Sequence, residues 1–221
     1  MSGSNGTLVK DSTGLRFPAA LKYAAAFISY FFHPLFIPVY VGWFWIYVAN
    51  FFPERSDSDN VKLMISLAVN YAVLPLVTLL LAKALGFVQS IYLKNSKDRI
   101  IPYVASGVFY FWIWYVFHNQ NFPPEVEMFT LAVFLASSIG LIANAFLMVS
   151  MHGISVGVLA TYMLMLGFST YKSFGLYISI AVFIAGLVCT ARLIHSNHTT
   201  KEIYTGLAIG AVAQLIAGFF A

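Results

Sequence analysis

The chain has 221 residues, of which 60% are hydrophobic and only 9% charged, with a formal charge of +4 from twelve Lys and Arg against eight Asp and Glu. A soluble domain carries about 25% charged residues; ionised groups this sparse cannot cover a soluble fold of this size, so most of the chain must be solvated by lipid. The single cysteine, Cys189, excludes an intramolecular disulfide framework and Cys-rich zinc or iron-sulfur sites, and the scattered basic residues form no stripe of the kind that nucleic acid requires.

Taken in chain order, residues 1–17 read as a polar tail bearing Lys10 and Arg16, and residues 18–221 as a single integral membrane domain. A helix needs about 20 apolar residues to cross a bilayer. Residues 18–33 read as an interfacial or packed lead-in and 34–52, interrupted by Pro34 and Pro38, as a first span. The polar stretch 54–62 is a loop, and 63–86, containing Pro75, is a second span. After the basic segment 92–99 come spans at 100–118 and 128–149, a turn at Ser150–Gly153, and further spans at 153–170, 174–191 and 203–221. The expected fold is an all-α, polytopic transmembrane bundle of six to seven spans, the lower number applying if the proline-bearing first run only dips into the membrane.

A chain returns to the same side after every second crossing. The segments 94–99, Ser150–Gly153 and Arg192–His198 are therefore expected on one face of the membrane, whether or not the first run crosses. If it does cross, nine of the twelve Lys and Arg share that face, which by the positive-inside rule points to the cytoplasm; setting aside Lys94, Arg99 and Arg192 as site residues leaves six against three, and without the crossing the bias disappears, so the sequence leaves the face open.

Those three segments hold the candidate chemistry. His198 and Glu202 are four residues apart, roughly 40° in azimuth on a helix, so the carboxylate can hold the imidazole in one tautomer. Arg192 offers a planar fork suited to phosphate oxygens. A structural reading competes: Thr199 and Glu202 have capping-box spacing, and Arg192 can snorkel to headgroups. With His152 and several cations on the same side, the set contains a nucleophile, an orienting carboxylate, a general acid and oxyanion-stabilising cations, the parts needed for phosphoryl transfer. His33 and His118 read as structural and His195 as facing water or headgroups. Gly206 and Gly210 form a small-xxx-small pair that lets the last helix pack closely, which positions His198 if that helix is central. The aromatic run 109–115 reads as lipid-facing bulk, with a tail-binding wall as the other reading.

The order and spacing of these residues resemble the type-2 phosphatidic acid phosphatase superfamily over roughly residues 63–215. Arg192, His198 and Glu202 match its Ser-Arg-x5-His-x3-Asp signature, with Ala191 in place of Ser and Glu in place of Asp. Ser150 and His152 match Pro-Ser-Gly-His, with Val149 and Met151 replacing Pro and Gly. Lys94 and Pro102 match the ends of Lys-x6-Arg-Pro, with Ile101 where Arg belongs and Arg99 two residues early. The resemblance implies an integral membrane lipid phosphatase without metal or other cofactor. In it His198 forms a phosphohistidine, Glu202 orients it, His152 protonates the leaving oxygen, and Arg192, Lys94, Arg99 and Ser150 hold the phosphoryl group. It also implies a phosphorylated lipid as partner, no nucleic acid, and a bacterial cytoplasmic membrane as location. A head-group phosphotransferase of the same superfamily and a non-catalytic transporter or scaffold are the alternatives. The particular lipid and the oligomeric state are not legible in the sequence.

Overall fold

The computed structural model describes residues 8–10, 16–90, 95–169, 174–196 and 198–220. Two three-residue strands, β1 (Leu8–Lys10) and β2 (Arg16–Pro18), pair antiparallel within the polar tail. Among the described residues every element that follows is a helix, and the protein is an all-α polytopic bundle. Among the described residues six helical segments are long and apolar enough to cross a membrane.

The first apolar run is not one continuous span. It folds as α1 (Ala19–Phe31) and α2 (Ile37–Tyr47), each too short to cross alone. Pro34 has no N–H to continue α1, whereas Pro38 sits in the first turn of α2, where no intrahelical acceptor is needed. The two pieces nevertheless follow the bundle from end to end. Lys22 lies within electrostatic reach of His195 and the His33 ring packs on His152, while beyond α2 Phe52 meets Phe122 at the other end.

The next segment starts earlier than the sequence suggests. Ser56 caps α3 (Asp57–Ala68) by accepting the Asp59 N–H, and Asp57 and Asp59 suit the positive end of the helix dipole, so residues 57–62 are helical rather than loop. A π-helical turn at Val69–Val73 leads into α4 (Leu74–Ala84), the wider turn falling just ahead of Pro75. Then come α5 (Ser96–Asn119), α6 (Pro124–Asn144), α7 (Met151–Ser169), α8 (Gly175–His195) and α9 (Thr200–Phe220). The basic segment therefore ends inside the first turn of α5, and the turn expected at Ser150–Gly153 lies at residues 145–150, because Ser150 caps α7.

Within the bundle α7 and α9 make the most extensive helix pair, α6 packs on both α5 and α9, and α1 lies along α8. Gly153 and Gly157 face Gly206 and Gly210 across the α7–α9 contact: a Cβ on Gly153 would lie 2.6 Å from the Ile203 carbonyl, and one on Gly206 2.6 Å from the Ser150 carbonyl. Backbone-to-backbone approach of this kind is how membrane helices associate where no hydrophobic effect drives them together. Farther from the site end, the Trp45 indole N–H donates to the Tyr162 hydroxyl at 2.7 Å, and Phe129 packs against both rings. Leu80, Phe111, Trp112 and Phe183 point outward and are exposed, as the apolar face of an integral membrane protein must be.

Candidate active site

Glu202 occupies two roles at once. Its N–H is accepted by the Thr199 hydroxyl at 3.3 Å and its Oε2 accepts the Thr199 N–H at 2.9 Å, so the pair forms a capping box that starts α9. The same Oε2 lies 3.0 Å from His198 Nδ1. The capping and chemical readings of this segment are therefore one arrangement: the residue that starts the helix also orients the imidazole.

The other imidazole nitrogen faces Arg99. His198 Nε2 lies 3.4 Å from Arg99 Nη2. A guanidinium only donates, so Nε2 must accept, and the ring proton sits on Nδ1 and is donated to Glu202. His198 thus presents an unprotonated Nε2 beside a fixed cation, with both side chains buried. Arg99 is aimed by a second bond, from Nη1 to the Val149 carbonyl at 2.8 Å. The Val149–Ser150 segment is tied in turn to α9, since the Ser150 N–H donates to the Glu202 carbonyl at 3.2 Å. Arg99, the off-register member of the weakest sequence signature, is the cation that the structure places in contact with His198.

The other candidates are distributed unevenly around this centre. Ser150 is fully buried and its hydroxyl oxygen accepts the Gly153 N–H at 3.3 Å, which makes it the cap of α7. Arg192 lies in the last turn of α8 with its Nε buried and without a partner among the described residues. His152 lies in the first turn of α7, and its Nε2 donates to the Ser29 carbonyl of α1 at 3.0 Å; among the described residues it makes no hydrogen bond to His198 or Glu202, although His198 lies within electrostatic reach of it. Lys94 lies outside the described residues. His195 is exposed, and His118 bonds Glu127 at the opposite end.

His33 is the residue that sequence reasoning set aside. Its Nδ1 accepts the Leu35 N–H at 3.3 Å, and its ring meets His152 edge-on with centroids 5.3 Å apart. The only signal for it in the sequence is its position before Pro34, which breaks a helix beside a histidine inside an apolar run. Through Ser29 near the end of α1 and His33 in the break that follows, this part of the chain forms one wall of the site.

The electrostatics favour an anion. Arg99 and Arg192 both act on His198, and α5, α7 and α9 all begin here, presenting the positive ends of their dipoles. Burial holds the His198 imidazole below its ordinary 6.5; the Glu202 hydrogen bond opposes this, while Arg99 and Arg192 add to it. The folded protein therefore binds the His198 proton less readily than the unfolded chain, and this group's contribution to stability is lost as pH falls below 6.5. Histidine NMR titration of the purified protein is expected to give a His198 midpoint below 6.5. Arg192→Gln, which removes a repelling charge, should move that midpoint upward.

Compared with family models, curated proteins and solved structures, the chain matches none of them.

Proposed function

We propose that the protein is an integral membrane phosphatase that hydrolyses the phosphomonoester or diphosphate head of a lipid through a phosphohistidine. The observation that carries this reading is His198 itself, buried, with Nδ1–H held by Glu202 and its Nε2 lone pair facing a guanidinium. In the first step Nε2 attacks phosphorus, the N–P bond forms and the P–O bond to the lipid breaks. The Glu202 carboxylate stabilises the imidazolium character that develops. Arg99 and Arg192 neutralise charge on the phosphoryl oxygens, with Lys94 and the Ser150 O–H as further donors. His152, protonated on both ring nitrogens, gives its Nε2 proton to the leaving lipid oxygen, turning that N–H away from the Ser29 carbonyl. His152 then takes a proton from water, whose oxygen attacks phosphorus and breaks the N–P bond, releasing phosphate and restoring both His198 and His152. The cations and helix termini supply the charge neutralisation, so the reaction is proposed to run without a metal. The proposed location is a bacterial cytoplasmic membrane.

The test is a phosphate-release screen with purified protein over phosphatidic acid, phosphatidylglycerol phosphate, polyprenyl diphosphate and a phosphorylated glycolipid, with chelator present. Release from at least one lipid class that survives the chelator is expected. No release from any of them would sink the reading. Exchange of labelled head group between lipids, in place of release, would mark a transferase.

A further inference from the structure

Beside the charged cluster lies an apolar cavity of about 160 Å³ whose walls include Pro34, Pro38, Pro75 and Pro102. Each proline removes a backbone N–H, and a proline within a helix bends it, which accounts for a space between helices that elsewhere pack in contact. The lining extends from Pro102 to Tyr110 on α5, from Met151 to Val158 on α7, and from Ser137 back to Phe129 on α6. At the helical rise each of these stretches covers about 10 to 12 Å of depth, so three helices agree on the extent.

The two ends of the cavity differ in chemistry. At the mouth, Met151 follows the buried Ser150, and Tyr103 lies four residues beyond Arg99, on the same face of α5. The Tyr103 hydroxyl is buried without a partner among the described residues. The floor is aromatic: Phe129 is wedged against Trp45 and Tyr162 with centroids 5.5 and 4.8 Å away, and Tyr110 rests on Tyr71 at 5.2 Å. Between mouth and floor no lining residue is charged, so the space suits hydrocarbon and excludes a headgroup.

We infer that this cavity is a slot for one unbranched apolar chain of the substrate lipid, an inference that rests on reading the adjoining site as one for phosphorylated lipids. The phosphate sits at Arg99 and His198, the Tyr103 hydroxyl donates to the oxygen linking phosphate to chain, and the chain descends to the aromatic floor. An extended chain advances about 1.2 Å per bond, so the slot holds about ten carbons. Carbons beyond that number gain no contact within it.

The experiment uses the purified protein in lipid nanodiscs with butyl, octyl and dodecyl phosphate as substrates, and a decyl phosphonate carrying a terminal diazirine as a probe that is not hydrolysed. Val133→Trp and Ser106→Phe each fill the slot; two positions are used so that a folding failure at one leaves the other. Val108→Trp, on the lipid-exposed face of α5, is the control. Expected are a fall of at least about tenfold in the dodecyl-to-butyl ratio of kcat/KM in the filled variants, an unchanged ratio in the control, and photolabelling of α5 or α6 near Tyr110 and Phe129. The tenfold figure corresponds to losing the contacts of roughly two methylenes. Phosphate release with an unchanged ratio in both filled variants, or labelling confined to outward residues such as Phe111, would overturn the slot while leaving the phosphatase reading intact. Labelling at the floor, abolished by Val133→Trp, with no phosphate released from any substrate would support the slot and overturn the phosphatase reading.

Discussion

Replacing His198 by alanine should lower phosphate release by a factor on the order of 10⁴ or more, the scale lost when a covalent nucleophile is removed, with the protein still folded. The more informative partner is Glu202→Gln. A glutamine at that position still completes a capping box with Thr199, so α9 starts normally, but the carboxylate that fixes the Nδ1–H tautomer is gone. Release is expected to fall by roughly 10² to 10⁴, comparable to removing the orienting acid beside a catalytic histidine, with the thermal midpoint nearly unchanged. Glu202→Ala should lose both activity and about 1 kcal/mol of cap stability. Equal activity in Glu202→Gln and the parent would show that the contact with His198 serves only to start the helix. The two measurements, phosphate release and thermal unfolding in detergent, separate the roles that the geometry superimposes.

The second large effect is expected from the glycine seam. A Cβ at Gly210 would run into the Ile154 carbonyl, and one at Gly157 into the Leu207 carbonyl, both of them backbone atoms that cannot rotate away. Gly210→Val and Gly157→Val must therefore separate α7 from α9. The cost is at or above the about 1 to 3 kcal/mol typical of overpacking, visible as a drop of several degrees in the thermal midpoint. Activity should fall with it, because α7 carries His152 and the Ser150 cap while α9 carries Glu202. Gly186 supplies the contrast: nothing lies within 4 Å of its Cβ position, so Gly186→Ala should be neutral or slightly stabilising through helix propensity. A Gly210→Val protein with parental melting and activity would show that the seam is not holding the site together.

Much of this was legible in the sequence because lipid imposes simple rules. Length and hydropathy located the spanning helices from residue 63 onward with ends displaced by at most six residues, and parity of crossings placed Arg99, Ser150, His152 and His198 at one end. The i,i+4 spacing of His198 and Glu202 was a sufficient signal for their contact, and the Gly206–Gly210 spacing for close packing. Illegible features were those set by partners distant in sequence. The cap by Ser56 brought α3 forward because a side-chain acceptor outweighed the polar composition of residues 57–62. Residues 34–52, read as a first span, hold only the short α2, because Pro34 follows the end of α1 and Pro38 lies in the first turn of α2. His33 looked structural until the break carried it to His152, and the unmatched partner glycines, Gly153 and Gly157, had no role until α9 lay across them. The aromatic run at 109–115 turned out to divide by face: Phe111, Trp112 and Tyr115 are exposed, while Tyr110 points inward.

The link between the Glu202 backbone carbonyl and the Ser150 N–H bears on when the site comes into being. α9 is synthesised after the other described helices, and until it inserts, the Ser150 N–H lacks the Glu202 carbonyl that braces it and the His198 imidazole lacks the Glu202 carboxylate that holds it beside Arg99. Under the proposed function, competence is thereby tied to completion of membrane insertion: a nascent or clipped bundle lacking α9 is expected to be embedded yet inert.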